Sequence, residues 1–201
     1  MEDISVLFNK YGSDKDINGY SALYHTLFDK MRNDKLNVLE IGIGTMIPGA
    51  PSSMVGYSQS HYKPGGSLRA WRDYFVNGRI IGVDIQPDTQ FSDDRIETHL
   101  CNSTKAEEVK QLMETLNTEF DIIIDDGCHD GGSQTNTLRN MYPFLKKGGI
   151  YIIEDIYPGS SVTQAPKVIK EVVNNDPLFF VGLLNNQCVI YKNSLVSAKF
   201  C

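Results

Sequence analysis

No apolar run in the chain approaches the roughly 20 residues needed to cross a bilayer, so no membrane-spanning helix is expected. Cysteine is sparse and scattered: Cys101, Cys128, Cys188 and Cys201 form no CxxC pair. That argues against a zinc site or a disulfide frame and suits reduced thiols in a cytoplasmic protein. Positive charge is in deficit, with 19 Lys and Arg against 25 Asp and Glu and a formal net charge of -6. A surface that tracks nucleic-acid phosphates needs clustered Lys and Arg, so a nucleic-acid partner is not expected. The start, Met1-Glu2-Asp3, lacks the basic and apolar regions of a secretory signal. Repeats and low-complexity segments are missing as well. What remains is the composition of a globular protein, 41% hydrophobic and 22% charged over 201 residues, which fits one α/β domain spanning 1–201.

Apolar runs bounded by turn residues alternate with helical stretches, the pattern of a mainly parallel sheet. Strands are predicted at Asn37–Ile43, Arg79–Asp84, Ile96–Leu100, Phe120–Asp125 and Gly149–Glu154. Several are almost continuously apolar, as strands covered by helices on both faces must be. Helices are predicted at Ser67–Phe75, Lys105–Leu116, Thr135–Leu145 and Val168–Asn174. The segments 178–184 and 187–191, joined at Asn185-Asn186, read as a closing antiparallel hairpin. The fold class expected is therefore α/β: a doubly wound, mainly parallel seven-stranded sheet of the class I SAM-dependent (S-adenosylmethionine-dependent) methyltransferase type, ending in an antiparallel hairpin.

Two segments exceed a minimal version of this fold. Residues 1–35 are expected to form a helical cap, with Tyr20, Tyr24, Leu27, Phe28 and Met31 on one face packing against the core. Residues 45–64 hold Pro48, Gly49, Pro51, Gly56 and Pro64 and show no period. A loop of this length beginning at a strand's carboxyl end suits a cover over the active-site edge, with Tyr57, His61 and Tyr62 as candidate acceptor contacts.

Leu39-Glu40-Ile41-Gly42-Ile43-Gly44 puts an acid at a strand end before glycines that admit a ligand to the backbone. A dinucleotide fingerprint needs a third glycine on a tight turn into a helix; position 47 is Ile, and the helix waits until about Ser67. Asp84 closes the second strand, where a carboxylate can accept bonds from ribose hydroxyls. Asn102 and Ser103 follow the third strand and suit either an adenine edge or a turn and helix cap.

The most informative residues close the fourth and fifth strands. Asp125-Asp126-Gly127-Cys128-His129 ends one and Glu154-Asp155 the other. If those strands are neighbours, four acids meet at one sheet edge and repel unless a cation or protons intervene. Oxygen donors suit a hard divalent ion, magnesium or manganese. The alternative is that Asp125 and Glu154 cap strands by bonding loop amides. His129, two residues beyond Gly127 in a strand-end loop, suits a general base.

These residues, in this order, resemble the magnesium-dependent sugar O-methyltransferases of the macrolide (mycinamicin-type) family. The shared stretches are Tyr11-Gly12-Ser13-Asp14-Lys15, Leu39-Glu40-Ile41-Gly42, Gly65-Gly66-Ser67-Leu68-Arg69-Ala70-Trp71, Ile81-Gly82-Val83-Asp84, Asp125 through His129, and Gly148 through Asp155. The family's larger members carry a further N-terminal domain that these 201 residues do not include. The resemblance implies Asp126, Glu154 and Asp155 as metal ligands and His129 as general base. It implies Glu40, Gly42, Ser67, Asp84, Asn102 and Asp125 around SAM. Two departures stand out: Cys128 where Ser is commoner, and no acid in Leu100-Cys101-Asn102-Ser103 after the third strand. The expected reaction is methyl transfer from SAM to a hydroxyl of a sugar or sugar-bearing small molecule or glycan. A catechol-type metal-dependent methyltransferase and a non-catalytic SAM-binding protein are the alternatives, and a homo-oligomer stays open.

Overall fold

The computed structural model describes residues 2–50, 52–57, 59–156, 179–184 and 186–192. The helix predicted at Val168–Asn174 lies outside these residues, as does Cys201. Eight strands are found among them: β1 (Asn37–Ile41), β2 (Arg79–Asp84), β3 (Ser92–Asp93), β4 (Ile96–Leu100), β5 (Phe120–Asp125), β6 (Leu145–Ile153), β7 (Phe179–Leu184) and β8 (Gln187–Lys192). They form one sheet in the order β3-β4-β2-β1-β5-β6-β8-β7. From β4 to β6 all neighbours pair in parallel, whereas β8 runs antiparallel to both β6 and β7. The seven expected strands are all present, and the hairpin closes the sheet. The eighth, β3, is a two-residue antiparallel edge strand on β4, too short to leave a sequence pattern.

Alternation along the central strands builds two separate cores, because successive side chains point to opposite faces. Val38, Ile80, Ile122, Ile124, Ile150 and Ile152 face one side. Leu39, Ile41, Ile81, Val83, Ile123 and Tyr151 face the other. The second face is covered by α4 (Ala106–Leu116) through Val109, Leu112 and Met113, and by α5 (Gly131–Met141) through Leu138 and Met141. Helix α5 starts four residues before the expected Thr135, because Asp130 caps it by accepting from Gly132 N and Ser133 N, both at 3.0 Å. It gives way to a 3-10 turn, Tyr142–Phe144, where Pro143 cannot continue an α-helix.

The first face is covered by α3 (Gly66–Tyr74) and by the N-terminal helices α1 (Ile4–Lys10) and α2 (Ser21–Phe28). The sequence pattern predicts only α2 of these last two. Helix α1 has seven residues, too few for a clear period, and is started by Asp3, whose carboxylate accepts from Ser5 N at 3.0 Å. At the centre sits Trp71, fully buried, with Phe8 and Tyr24 edge-on to it at 5.0 and 4.8 Å between ring centroids. Such pairs contribute about 0.5–1.5 kcal/mol each beyond their buried area. The expectation that residues 20–31 pack on the core therefore holds for their rings.

Candidate functional site

Strand β1 stops at Ile41 because Gly42 turns the chain with φ +87. A Cβ at Gly42 would lie 2.0 Å from the carbonyl oxygen of Asp126. Glycine is thus required by the close approach of two strand ends, a protein–protein reason rather than the ligand approach expected. Asp126 N donates to Ile41 O at 2.8 Å across that contact, which fixes the acid-bearing turn after β5 beside the end of β1.

Strands β5 and β6 are neighbours, so the acids of both do meet. A cation also intervenes, and it belongs to the protein. Lys15 is buried with Nζ 2.6 Å from Asp126 Oδ2 and 3.2 Å from Glu40 Oε1, and it donates a short bond to Glu154 Oε2. The hydroxyl of Tyr24 donates to Glu154 Oε1, and that of Tyr20 donates to Asp155 Oδ1 at 2.5 Å. Glu40, wholly buried, also accepts from Trp71 Nε1 at 3.0 Å. Sequence reasoning misses Lys15, Tyr20 and Tyr24 as site residues; the Tyr11–Lys15 stretch carries a family signal but no role.

His129 stands on the open side, with Nε2 3.5 Å from Asp126 Oδ1 and 3.4 Å from Asp155 Oδ2. Asp155 takes a left-handed backbone at φ 53, uncommon outside glycine and met several-fold more often in Asp and Asn. Asp126, His129 and Asp155 each offer a donor atom within 4.8 Å of the others. Two carboxylates and an imidazole at that spacing fit a divalent cation. Glu154 faces Lys15, Tyr24 and, at 3.5 Å, Gln187 Nε2, behind that trio.

Electrostatics follow from this packing. Burial alone would raise the Asp126 carboxyl, yet Lys15 and then His129 bring it down to about 2. Burial pushes Asp125 up to about 7 and Glu154 well above the ordinary carboxylate range. His129 is raised above the ordinary imidazole value, first by its bond to Asp126.

A cavity of about 850 Å³ opens along this edge. Its wall includes Gly42, Ser67, Asp126, His129 and Asp155. The 45–64 loop forms much of the rest through residues such as Met54, Tyr57 and Tyr62. Tyr57 is exposed, while Tyr62 is buried with its hydroxyl on Ile43 O and Gly44 O at 2.7 and 3.1 Å. His61 Nε2 lies 3.0 Å from Asn9 O and is not on the cavity wall.

The remaining expected cofactor residues stand back from the wall. Asp84 accepts from Ile43 N at 2.7 Å, Gly44 N at 3.3 Å and Gln86 N at 2.9 Å, so both of its oxygens already serve the backbone. Asn102 Oδ1 accepts from Thr104 N and Oγ1 at 3.1 and 2.7 Å, which is the turn alternative; the helix cap expected with it falls instead at Lys105, which makes no side-chain cap bond. Asp125 is buried and accepts from Gly127 N at 3.3 Å. Cys101, Cys128 and Cys188 are free thiols.

Residues 63–156 match a methyltransferase domain family. Curated relatives include an 8-demethyl-8-(2-methoxy-alpha-L-rhamnosyl)-tetracenomycin-C 3'-O-methyltransferase of Streptomyces olivaceus, 36% identical over 77% of this chain. Another is the mycinamicin VI 2''-O-methyltransferase of Micromonospora griseorubida, 31% identical over 77% of the chain. The chain is similar to these sugar O-methyltransferases over about three quarters of its own length. It spans little more than a third of those relatives' own length, 37% and 36%. Among solved structures, a methyltransferase of the mycinamycin biosynthetic pathway, in complex with Mg, SAH and mycinamycin VI, superposes on 96% of this chain and 54% of its own. Its TM-score is 0.77 at 24% identity, so the two chains share one α/β fold. Among the described residues no helix is long and apolar enough to cross a membrane.

Proposed function

We propose that this chain is a single SAM-dependent methyltransferase domain that moves a methyl group from SAM to a hydroxyl of a sugar-bearing small molecule or glycan, with a divalent cation as cofactor. The observation that carries the reading is the trio Asp126, His129 and Asp155 on the wall of a cavity whose volume lies in the range of small-molecule sites. Curated relatives that act on rhamnosyl and mycinamicin acceptors support the sugar class.

In this reading Asp126 and Asp155 hold magnesium or manganese, joined by Glu154 when its Oε1 gives up the Tyr24 hydroxyl, and Gly42, Ser67, Glu40, Asp84, Asn102 and Asp125 form or back the SAM pocket. A cation bound there supplies a Lewis acid that acidifies a neighbouring hydroxyl. His129 takes the hydroxyl proton: its ring borders the same cavity, and the imidazole keeps one nitrogen as acceptor when neutral. Because Asp126 and Asp155 draw a proton onto His129, charge neutralisation at those carboxylates favours the neutral, basic ring. The 1–35 segment caps the site, and the 45–64 loop covers the cavity and holds the acceptor. Together these elements keep water out and orient the two reactants. Free, mostly buried thiols and a net charge of -6 support a cytoplasmic enzyme with no nucleic-acid partner.

The test is a transfer assay with SAM and a panel of glycosides and catechols. Methylation of glycosides that EDTA abolishes and magnesium restores is the expected result. Turnover restricted to catechols would move the chain to the catechol-type enzymes. SAH binding with no turnover on any acceptor would make it a SAM-binding protein.

A further inference from the structure

Strands β1, β5 and β6 are successive neighbours in the sheet, and a single ammonium joins the acids at their ends. Lys15 reaches them from the N-terminal segment, 111 residues from Asp126 and 139 from Glu154 in sequence. Each acid spends one oxygen on Lys15 and keeps the other for a different partner. Glu40 Oε2 takes the Trp71 indole, Glu154 Oε1 takes the Tyr24 hydroxyl, and Asp126 Oδ1 is left 3.5 Å from His129 Nε2. Rotation of a carboxylate about its last bond is otherwise soft. The Lys15 contact at Oδ2 therefore decides where Asp126 Oδ1 points.

We propose that Lys15 is a positioning residue, which aims Asp126 Oδ1 and holds Glu154 for the divalent cation. This rests on the metal-dependent reading above. The simpler account is that Lys15 only balances the charge of two fully buried carboxylates, Glu40 and Glu154. The two accounts part when the ammonium is removed at constant charge. Lys15→Met combined with Glu40→Gln removes one charge of each sign, and the amide oxygen introduced by the second change keeps an acceptor for Trp71. Replacing both members of a buried pair by neutral groups is often tolerated by the fold.

Binding of Mn2+ to the purified variant, followed by calorimetry and by electron paramagnetic resonance, decides the matter. Positioning predicts affinity 10–100-fold below the parent, the usual loss for a residue that orients metal ligands. Parent-like or tighter binding overturns it. A crystal structure of the parent with Mn2+ gives a second test that no folding defect can blur. Lys15 Nζ should remain hydrogen-bonded to Asp126 and Glu154, and an ammonium displaced from both overturns the proposal. A parent that binds no Mn2+ at all would instead defeat the metal reading on which the proposal stands.

Discussion

The two halves of the sheet edge use their acids in opposite ways. At the β1–β2 end, Asp84 is consumed by three backbone amides and Glu40 by Trp71 and Lys15. At the β5–β6 end, Asp126 and Asp155 keep oxygens toward His129 and an open cavity. Acids at four strand ends therefore split into a closed half that bonds amides, an indole and an ammonium, and an open half that lines the cavity beside His129.

The largest effect should come from the open half. Asp126→Ala should bring cation-dependent transfer down to background while leaving SAH binding, because the trio loses its central carboxylate. Steady-state rates with and without magnesium check this, and a variant as active as the parent would erase the contrast. His129→Ala should lose about 10²-fold or more in rate but retain the cation, the scale for a lost general base. If Mn2+ binding vanished with it, His129 would be a ligand instead.

The closed half should answer differently. Asp84→Ala strands three amides and should weaken SAH binding or the fold by about 1–3 kcal/mol, without altering which metal supports the reaction. Calorimetry and thermal melts separate those two losses. The smallest effect belongs to the cap of α5, next to His129 in sequence but bonded to backbone amides of the helix start. Asp130→Ala should lower stability by about 1 kcal/mol. Bonds from the Cys128 thiol and from Ser133 depress the Asp130 carboxyl to about 2. A depressed folded value means that its stabilisation is complete above the unfolded value of about 4 and disappears as pH falls through about 2. Melts across that window should show parent and variant converging only at the acid end.

Most of the sheet was legible because its strands are apolar runs set off by turn residues, and the meeting of acids followed once β5 and β6 were read as parallel neighbours. The N-terminal contribution was hidden for a physical reason. Periodicity reports which face of α2 packs, and the rings of Tyr20 and Tyr24 do pack, but it says nothing of hydroxyls that emerge at the far edge of the core onto Asp155 and Glu154. Lys15 follows a turn in a polar stretch, where a lysine ordinarily reads as solvated; only the folded chain places it among three acids. The role of Gly42 shifted for a similar reason, since the carbonyl it must avoid belongs to a residue far along the chain. Asn102 shows the converse, a residue with two readings of which the structure displays the local turn, without the helix cap.

The central claim is that the open half of the edge binds one divalent cation through carboxylates just beyond the ends of β5 and β6. Titration of Mn2+ into the protein with SAH present, read by calorimetry, tests it most directly, with the Asp126→Ala, Asp155→Ala double variant as the comparison. One equivalent bound by the parent and none by the double variant is the predicted result. No binding to the parent, or equal binding to both, would contradict it.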